Sequence, residues 1–135
     1  MFCLDSNIAI TLLRGGRPDV EERLADALMQ GAVGLSAIVL MELHYGVHRA
    51  KHRESAQAAL DRLLMAPFVR LPISDDDATC AARAKADLAG KGLSICPYDA
   101  LIAAQAITRE LTLVTNNTRE FSRLPDLKLV DWLTP

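Results

Sequence analysis

Aromatic side chains are scarce in this chain: three Phe, two Tyr and one Trp among 135 residues. A core must therefore be filled by aliphatic residues, and Ala and Leu supply most of the apolar half of the composition. That mixture suits helices packed on a sheet. No apolar run is long enough to span a bilayer, so no membrane role is expected. Excess positive charge is missing too: 15 Lys and Arg against 17 Asp and Glu leave a formal net charge of -2. A protein that holds nucleic acid mainly through counterion release is usually basic, so any such contact here must come from local basic clusters. Cys3, Cys80 and Cys96 are odd in number and have no paired spacing. This argues against a disulfide scaffold or a zinc knuckle and for reduced thiols in a cytoplasm. The opening Met1-Phe2-Cys3-Leu4-Asp5 carries no basic region and meets an acid at once, so no signal peptide is expected. A glycine-rich phosphate loop is also lacking, because Gly15-Gly16 and Gly90-Lys91-Gly92 are isolated.

What is present is an alternation of short apolar runs with longer segments of helical period. Phe2 to Leu4 reads as a first strand, and Asn7 to Arg14 as a helix ended by Gly15-Gly16. Asp19 is expected to cap a helix from Val20 to Gln30, with Gly31 past its end. Ala32 to Ser36 reads as a strand, Ile38 to Arg49 as a helix, and Ser55 to Met65 as another, closed by Pro67. Phe68 to Ile73 follows as a strand, then a helix from Asp75 to Ala89 capped by Ser74. Pro97 occupies the first turn of a helix running to Arg109. Leu111 to Thr115 is a buried central strand by composition, and Lys128 to Val130 a short edge strand. Without linker or repeat, residues 1–135 read as one domain. The fold class is α/β: three layers, with a mostly parallel central sheet of four to five strands covered on both faces.

In such folds ligands bind at the carboxyl ends of the strands. Asp5 follows the first strand, Ser36 ends the second, and Asn116 and Asn117 follow Leu111 to Thr115. Asp99 lies in the first turn after Pro97 and belongs to the same edge. Glu42 lies one to two turns into its helix, and helix side chains lean toward the N-terminus. Its surroundings, Ser36-Ala37-Ile38-Val39-Leu40-Met41-Glu42-Leu43, are so apolar that the helix is expected to be largely buried. A lone buried carboxylate there is costly without a partner or a metal. Converging acids call for a cation, and Mg²⁺ or Mn²⁺ suits carboxylate oxygen. A divalent metal in such a site activates water, orients a phosphate and stabilises the leaving oxygen. Taken singly, each acid also has a plain structural reading: a helix cap for Asp5, a dipole partner for Asp99, a surface pair with Arg49 for Glu42.

Four stretches in order resemble the PIN-domain ribonucleases, and more narrowly the VapC toxins of bacterial toxin–antitoxin pairs. They are Asp5-Ser6-Asn7; Ser36 through Met41-Glu42-Leu43-His44-Tyr45-Gly46; Pro97-Tyr98-Asp99-Ala100-Leu101-Ile102-Ala103-Ala104; and Val114-Thr115-Asn116-Asn117-Thr118-Arg119-Glu120-Phe121. The resemblance implies a three-layer fold, a Mg²⁺ or Mn²⁺ site, endonucleolytic cleavage of RNA and a homodimer. It also implies a cognate VapB-type antitoxin, through which alone operator DNA is met. Asp5 and Asp99 match its principal metal-ligand positions, Glu42 a third acidic position, and Asn7 and Ser36 supporting polar positions. Thr115 and Asn116 lie in the fourth motif beside them. Many PIN domains have an acid where this chain has Asn117, so Asn117 is expected as an amide helper, with Glu120 near enough to supply the charge. Cys96-Pro97-Tyr98-Asp99, Thr115 to Phe121 and Leu129-Val130-Asp131-Trp132-Leu133 look most like the subgroup that cuts initiator tRNA in its anticodon loop.

His44, His48 and His52 fall at i, i+4 and i+8, as a metal-ligand stripe would, but on the far side of a helix from Glu42. Asp75-Asp76-Asp77 lacks the EF-hand pattern and reads as dipole partners after a Ser cap. Arg49, Lys51 and Arg53, with Arg119 and Arg123, are the candidates for RNA phosphate contacts or, equally, solvated surface charges. Two rivals stay open. A phosphatase with Asp5 as nucleophile usually wants a second acid two residues on, where this chain has Asn7. A catalytically silent module binding RNA or a partner protein is the other.

Overall fold

The computed structural model describes residues 1–134; Pro135, the last residue of the expected domain, lies outside the described residues. Five strands, β1 (Phe2–Leu4), β2 (Val33–Ser36), β3 (Val69–Leu71), β4 (Thr112–Val114) and β5 (Lys128–Val130), form one sheet in the order β3-β2-β1-β4-β5. Every neighbouring pair is parallel. Seven helices connect them: α1 (Ser6–Arg14), α2 (Pro18–Gln30), α3 (Ala37–Arg49), α4 (Arg53–Leu63), α5 (Asp75–Ala89), α6 (Pro97–Thr108) and the single turn α7 (Thr118–Phe121). The chain winds outward from β1 through β2 to β3, then crosses back to β4. Right-handed crossovers therefore put α1 to α4 on one face and α5 and α6 on the other. The packing agrees, since α1 lies against α3 and α4, while α5 lies along α6.

The reversal of winding falls between β1 and β4, and there the connections that follow the two strands diverge. This is the crevice where open parallel sheets bind ligands. Both walls are set by apolar burial. Cys3 and Leu4 of β1 and Leu113 and Val114 of β4 are buried, in register Cys3 to Leu113 and Leu4 to Val114. The ladder runs one step further, with the Asp5 amide donating to the Val114 carbonyl at 2.9 Å. Polar residues begin only where this ladder ends.

Several expected boundaries shift for identifiable reasons. Asp19 does not cap α2. Pro18 opens that helix, because its missing N–H costs nothing in a first turn, and Arg17 holds the cap position and pairs with Asp19 at 2.8 Å. α4 starts at Arg53, two residues before the expected Ser55, and α7 was not expected at all. The histidines do not form one stripe: α3 stops at Arg49, and His52 sits at the N-cap position of α4. The largest revision concerns α3. Only Val39, Leu43 and Val47 are buried, a single i, i+4 row, while Met41 and Tyr45 are exposed. The apolar composition around Glu42 thus reports an apolar surface, and Glu42 itself is half-buried rather than sunk in the core.

Asp77 is a buried hub rather than a dipole partner. Ser74 and Asp77 close a reciprocal capping box at the start of α5. Asp77 also accepts from Thr108 at 2.8 Å and from Arg109 at 2.7 and 3.1 Å. Burial raises its pKa, but these hydrogen bonds prevail and hold it at about 2. The carboxylate so ties the N-terminus of α5 to the C-terminus of α6, the helix that carries Asp99. Asp77→Ala leaves a partly buried Arg109 unpaired and should cost about 3 kcal/mol, read by urea unfolding. Because the folded pKa is depressed, Asp77 stabilises fully above pH about 4 and loses its contribution as the pH falls toward 2. In acid titrations of stability the wild type should fall through that window, and Asp77→Ala should fall less.

Candidate active site

Asp5 is the N-cap of α1 and is 5% exposed. Its two oxygens have different partners: Oδ1 accepts from the Ser6 amide at 2.8 Å, and Oδ2 accepts from Thr115 Oγ1 at 2.7 Å. Thr115, fully buried just past β4, also accepts from the Asn117 amide at 3.0 Å. One hydroxyl thus joins the ends of β1 and β4 and shapes the turn into α7. Burial raises the Asp5 pKa, and the hydrogen bonds from Thr115 and Ser6 oppose that rise.

Asp99 stands in the first turn of α6, which Pro97 opens. Its carboxyl is pushed up to about 6, first by burial and then by the charges of Asp5, Glu120 and Glu42. These four carboxylates, one at the N-cap of α1 and the others on α3, α6 and α7, therefore share one electrostatic neighbourhood. The turn after β4 supports it. Asn117 Nδ2 donates to Glu120 Oε2 at 3.1 Å, and Asn7 Nδ2 donates to Asn116 Oδ1 at 3.2 Å. Asn117 and Glu120 are thus neighbours joined by one hydrogen bond, with the amide steering the acid. Ser36, by contrast, spends its hydroxyl on the Ile38 amide as the N-cap of α3. It sits at the shared strand edge but acts by fixing where α3, and so Glu42, begins.

No positive side chain neutralises this group. Both ion pairs among the described residues, Arg17–Asp19 and Arg109–Asp77, lie elsewhere. Among the described residues no three acids, histidines or cysteines stand close enough together to hold a metal ion. Carboxylate oxygens are hard donors of the type that Mg²⁺ and Mn²⁺ prefer, but here they stand apart rather than around one point. The Ser6 hydroxyl, buried beside Asp5 without a hydrogen-bond partner, was not anticipated as a site residue; its place in Asp5-Ser6-Asn7 was the available signal.

The basic candidates divide. Arg49 donates to Tyr45 Oη at 2.9 Å rather than pairing with Glu42. Arg53 donates to the His48 carbonyl at 3.1 Å, and Lys51 is exposed between them at the α3–α4 corner. Arg123 donates to the carbonyls of Ser94 and Glu120, which braces the turn after α7, and Arg119 is exposed beside it. His44 is half-buried and His48 exposed, with no metal-ligand group around them among the described residues.

Comparison with known proteins agrees with this architecture. The PIN domain model matches residues 2–127. The tRNA(fMet)-specific endonuclease VapC of Shigella flexneri is 37% identical over 134 residues, 97% of each chain. Ribonuclease VapC2 of Rickettsia felis is 37% identical over 135 residues, 98% of each chain. Among solved structures, VapBC2 of Rickettsia felis bound to a DNA fragment from its promoter contains a chain that superposes with a TM-score of 0.91. That chain is 34% identical, with 97% of this chain and 98% of that one covered. With its doubly wound parallel sheet and carboxylates gathered at the switch point, the chain belongs to the PIN-domain family and, within it, to the VapC proteins.

Proposed function

We propose that this VapC protein is a single-domain, Mg²⁺-dependent endoribonuclease toxin that hydrolyses a phosphodiester of tRNA. The observation that carries the reading is Asp99, held at about 6 by burial and by Asp5, Glu120 and Glu42 with no basic side chain among them. An acid cluster left in that state stores repulsion that a divalent cation relieves. Asp5, Asp99 and Glu42 are the residues that would hold it, with Glu120, steered by Asn117, on the fourth side. Bound there, Mg²⁺ or Mn²⁺ supplies Lewis-acid chemistry for attack on a phosphodiester.

The chain's own residues do the rest. Thr115 and the Ser6 amide fix both oxygens of Asp5, so its remaining lone pairs have one direction to face. Asn7 and Asn116 hold each other across the β1–β4 crevice. Arg49, Lys51, Arg53, Arg119 and Arg123 offer phosphate contacts on two flanks. The initiator tRNA anticodon loop is the proposed substrate, on the similarity to the Shigella flexneri enzyme and the motifs shared with that subgroup. The likeness to VapBC2 of Rickettsia felis supports a cognate VapB-type antitoxin as partner; operator contact through that antitoxin and a homodimer are proposed on the family resemblance. The expected compartment is the cytoplasm.

Three outcomes test this. Asp5→Asn and Asp99→Asn should each cut Mg²⁺-dependent cleavage of tRNA by at least about a hundredfold while circular dichroism stays native. Full activity in both would leave a silent binding module as the better reading. Thr115→Val should weaken Mg²⁺ binding by roughly ten- to a hundredfold, measured by calorimetry, since a group orienting a ligand is lost. Asp99 also makes a prediction about stability. Its folded pKa is raised, so in chelator the protein loses stability as the pH climbs from about 4 to 6. At pH 8 Asp99→Asn should therefore melt higher than wild type in chelator, by an amount on the order of 1 kcal/mol after solvent screening. Mg²⁺ should raise the melting temperature of the wild type and not that of the variant; equal shifts in both would remove Asp99 from the ligand set.

A further inference from the structure

Beside the carboxylates lies a recess of about 500 Å³ lined by Met41, Glu42, Tyr45, Cys96, Tyr98 and Asp99. Its two acids belong to the site; the other four side chains have no part in the chemistry above. Tyr45 is 57% exposed and Tyr98 49% exposed, in a chain with only two tyrosines. Met41, on the turn of α3 before Tyr45, is 41% exposed. Large apolar side chains grouped in one exposed recess mark a contact with something else.

Chemistry narrows the occupant. Tyr45 is held in place: Arg49 donates to its hydroxyl at 2.9 Å, and the guanidinium carbon lies 5.8 Å from the ring centroid. The guanidinium lies over one face of the Tyr45 ring, so a base would stack on the opposite face with the cation near its phosphate. A second copy of the chain fits less well. A two-fold contact apposes a patch with itself, and this patch carries Glu42 and Asp99, so four carboxylates would be buried together. The recess also adjoins the carboxylates, since Glu42 and Asp99 are part of its lining. We propose that Tyr45 and Tyr98 form a stacking clamp for an unpaired base next to the cleaved bond, which restricts the protein to single-stranded loops of RNA. The inference rests on the ribonuclease reading and adds to it the residues that select loop over duplex. A base inside a helix is already stacked on its neighbours and presents no free face.

The test compares wild type, Tyr45→Leu, Tyr98→Leu and Tyr98→Phe on an RNA hairpin and on the same hairpin with abasic nucleotides flanking the cleaved bond. Leu keeps apolar bulk without a π-face. All three substitutions are at exposed positions, and circular dichroism checks that each variant is folded. On the intact hairpin, kcat/KM should fall roughly five- to 150-fold for each Leu variant, the range of one stacked base, and little for Tyr98→Phe. The abasic hairpin should be a poor substrate for wild type, and the Leu variants should lose little more on it. Wild-type rates in both Leu variants, or an abasic penalty undiminished in them, would overturn the clamp while leaving the ribonuclease reading intact. Size-exclusion chromatography completes the test: a dimer that falls apart only in the Leu variants makes the recess a subunit contact and also overturns it. Wild-type protein that cuts no RNA in Mg²⁺ removes the ribonuclease reading, and the clamp with it.

Discussion

Like charges gathered in a low-dielectric crevice are the constraint around which the rest of this molecule is arranged. Asp5 stays buried because both its oxygens are occupied, by the Ser6 amide and by Thr115 Oγ1, while its charge acts on Asp99. The Thr115 bond spans β1 and β4 at 2.7 Å, at the point where the winding of the sheet reverses. It needs both strands in register, and register comes from burying Cys3, Leu4, Leu113 and Val114. Packing thus holds the acids together against their repulsion. Asp77 acts in the same sense at a distance. Its pairing with Arg109 locks α5 to α6 and so keeps Asp99 at the crevice.

Asp77, which is buried, and Asp99, which is half-buried, show how environment divides one residue type into two roles. Asp77 and Asp99 are both desolvated. Asp77 meets a guanidinium, two hydroxyls and an amide, and its pKa drops to about 2; Asp99 meets three carboxylates and rises to about 6. The first is a structural charge, satisfied within the fold. The second is unsatisfied by the protein, which is the usual mark of a site awaiting a partner.

Much of this was legible in the sequence because the decisive signals were local. Strand-to-polar transitions at Leu4-Asp5 and Val114-Thr115 located the crevice, Ser74 and Pro97 located helix starts, and Gly15 and Gly31 located ends. What stayed hidden depended on distant neighbours. Locally only the capping-box spacing from Ser74 separates Asp77 from Asp75 and Asp76; its ion pair depends on Arg109, 32 residues on. The exposed face of α3 was misread for a related reason. Met41 and Tyr45 count as apolar in any composition, and only the packed structure shows that the buried row is Val39, Leu43 and Val47.

That misreading carries its own information. An apolar residue left at the surface lowers solubility and adds nothing to the core, so a cluster of them beside the carboxylates has to be explained by what arrives there. The overall charge of -2 gives a polyanion little general attraction. Under the proposed function, affinity would then come from short-range terms: cations on the flanks, a divalent ion among the acids, and aromatic faces for unpaired bases. Such terms are geometric where counterion release is not. A weakly charged protein that depends on them discriminates among RNA shapes, because a substrate that cannot offer an open base at the right distance from its phosphate gains almost nothing from binding.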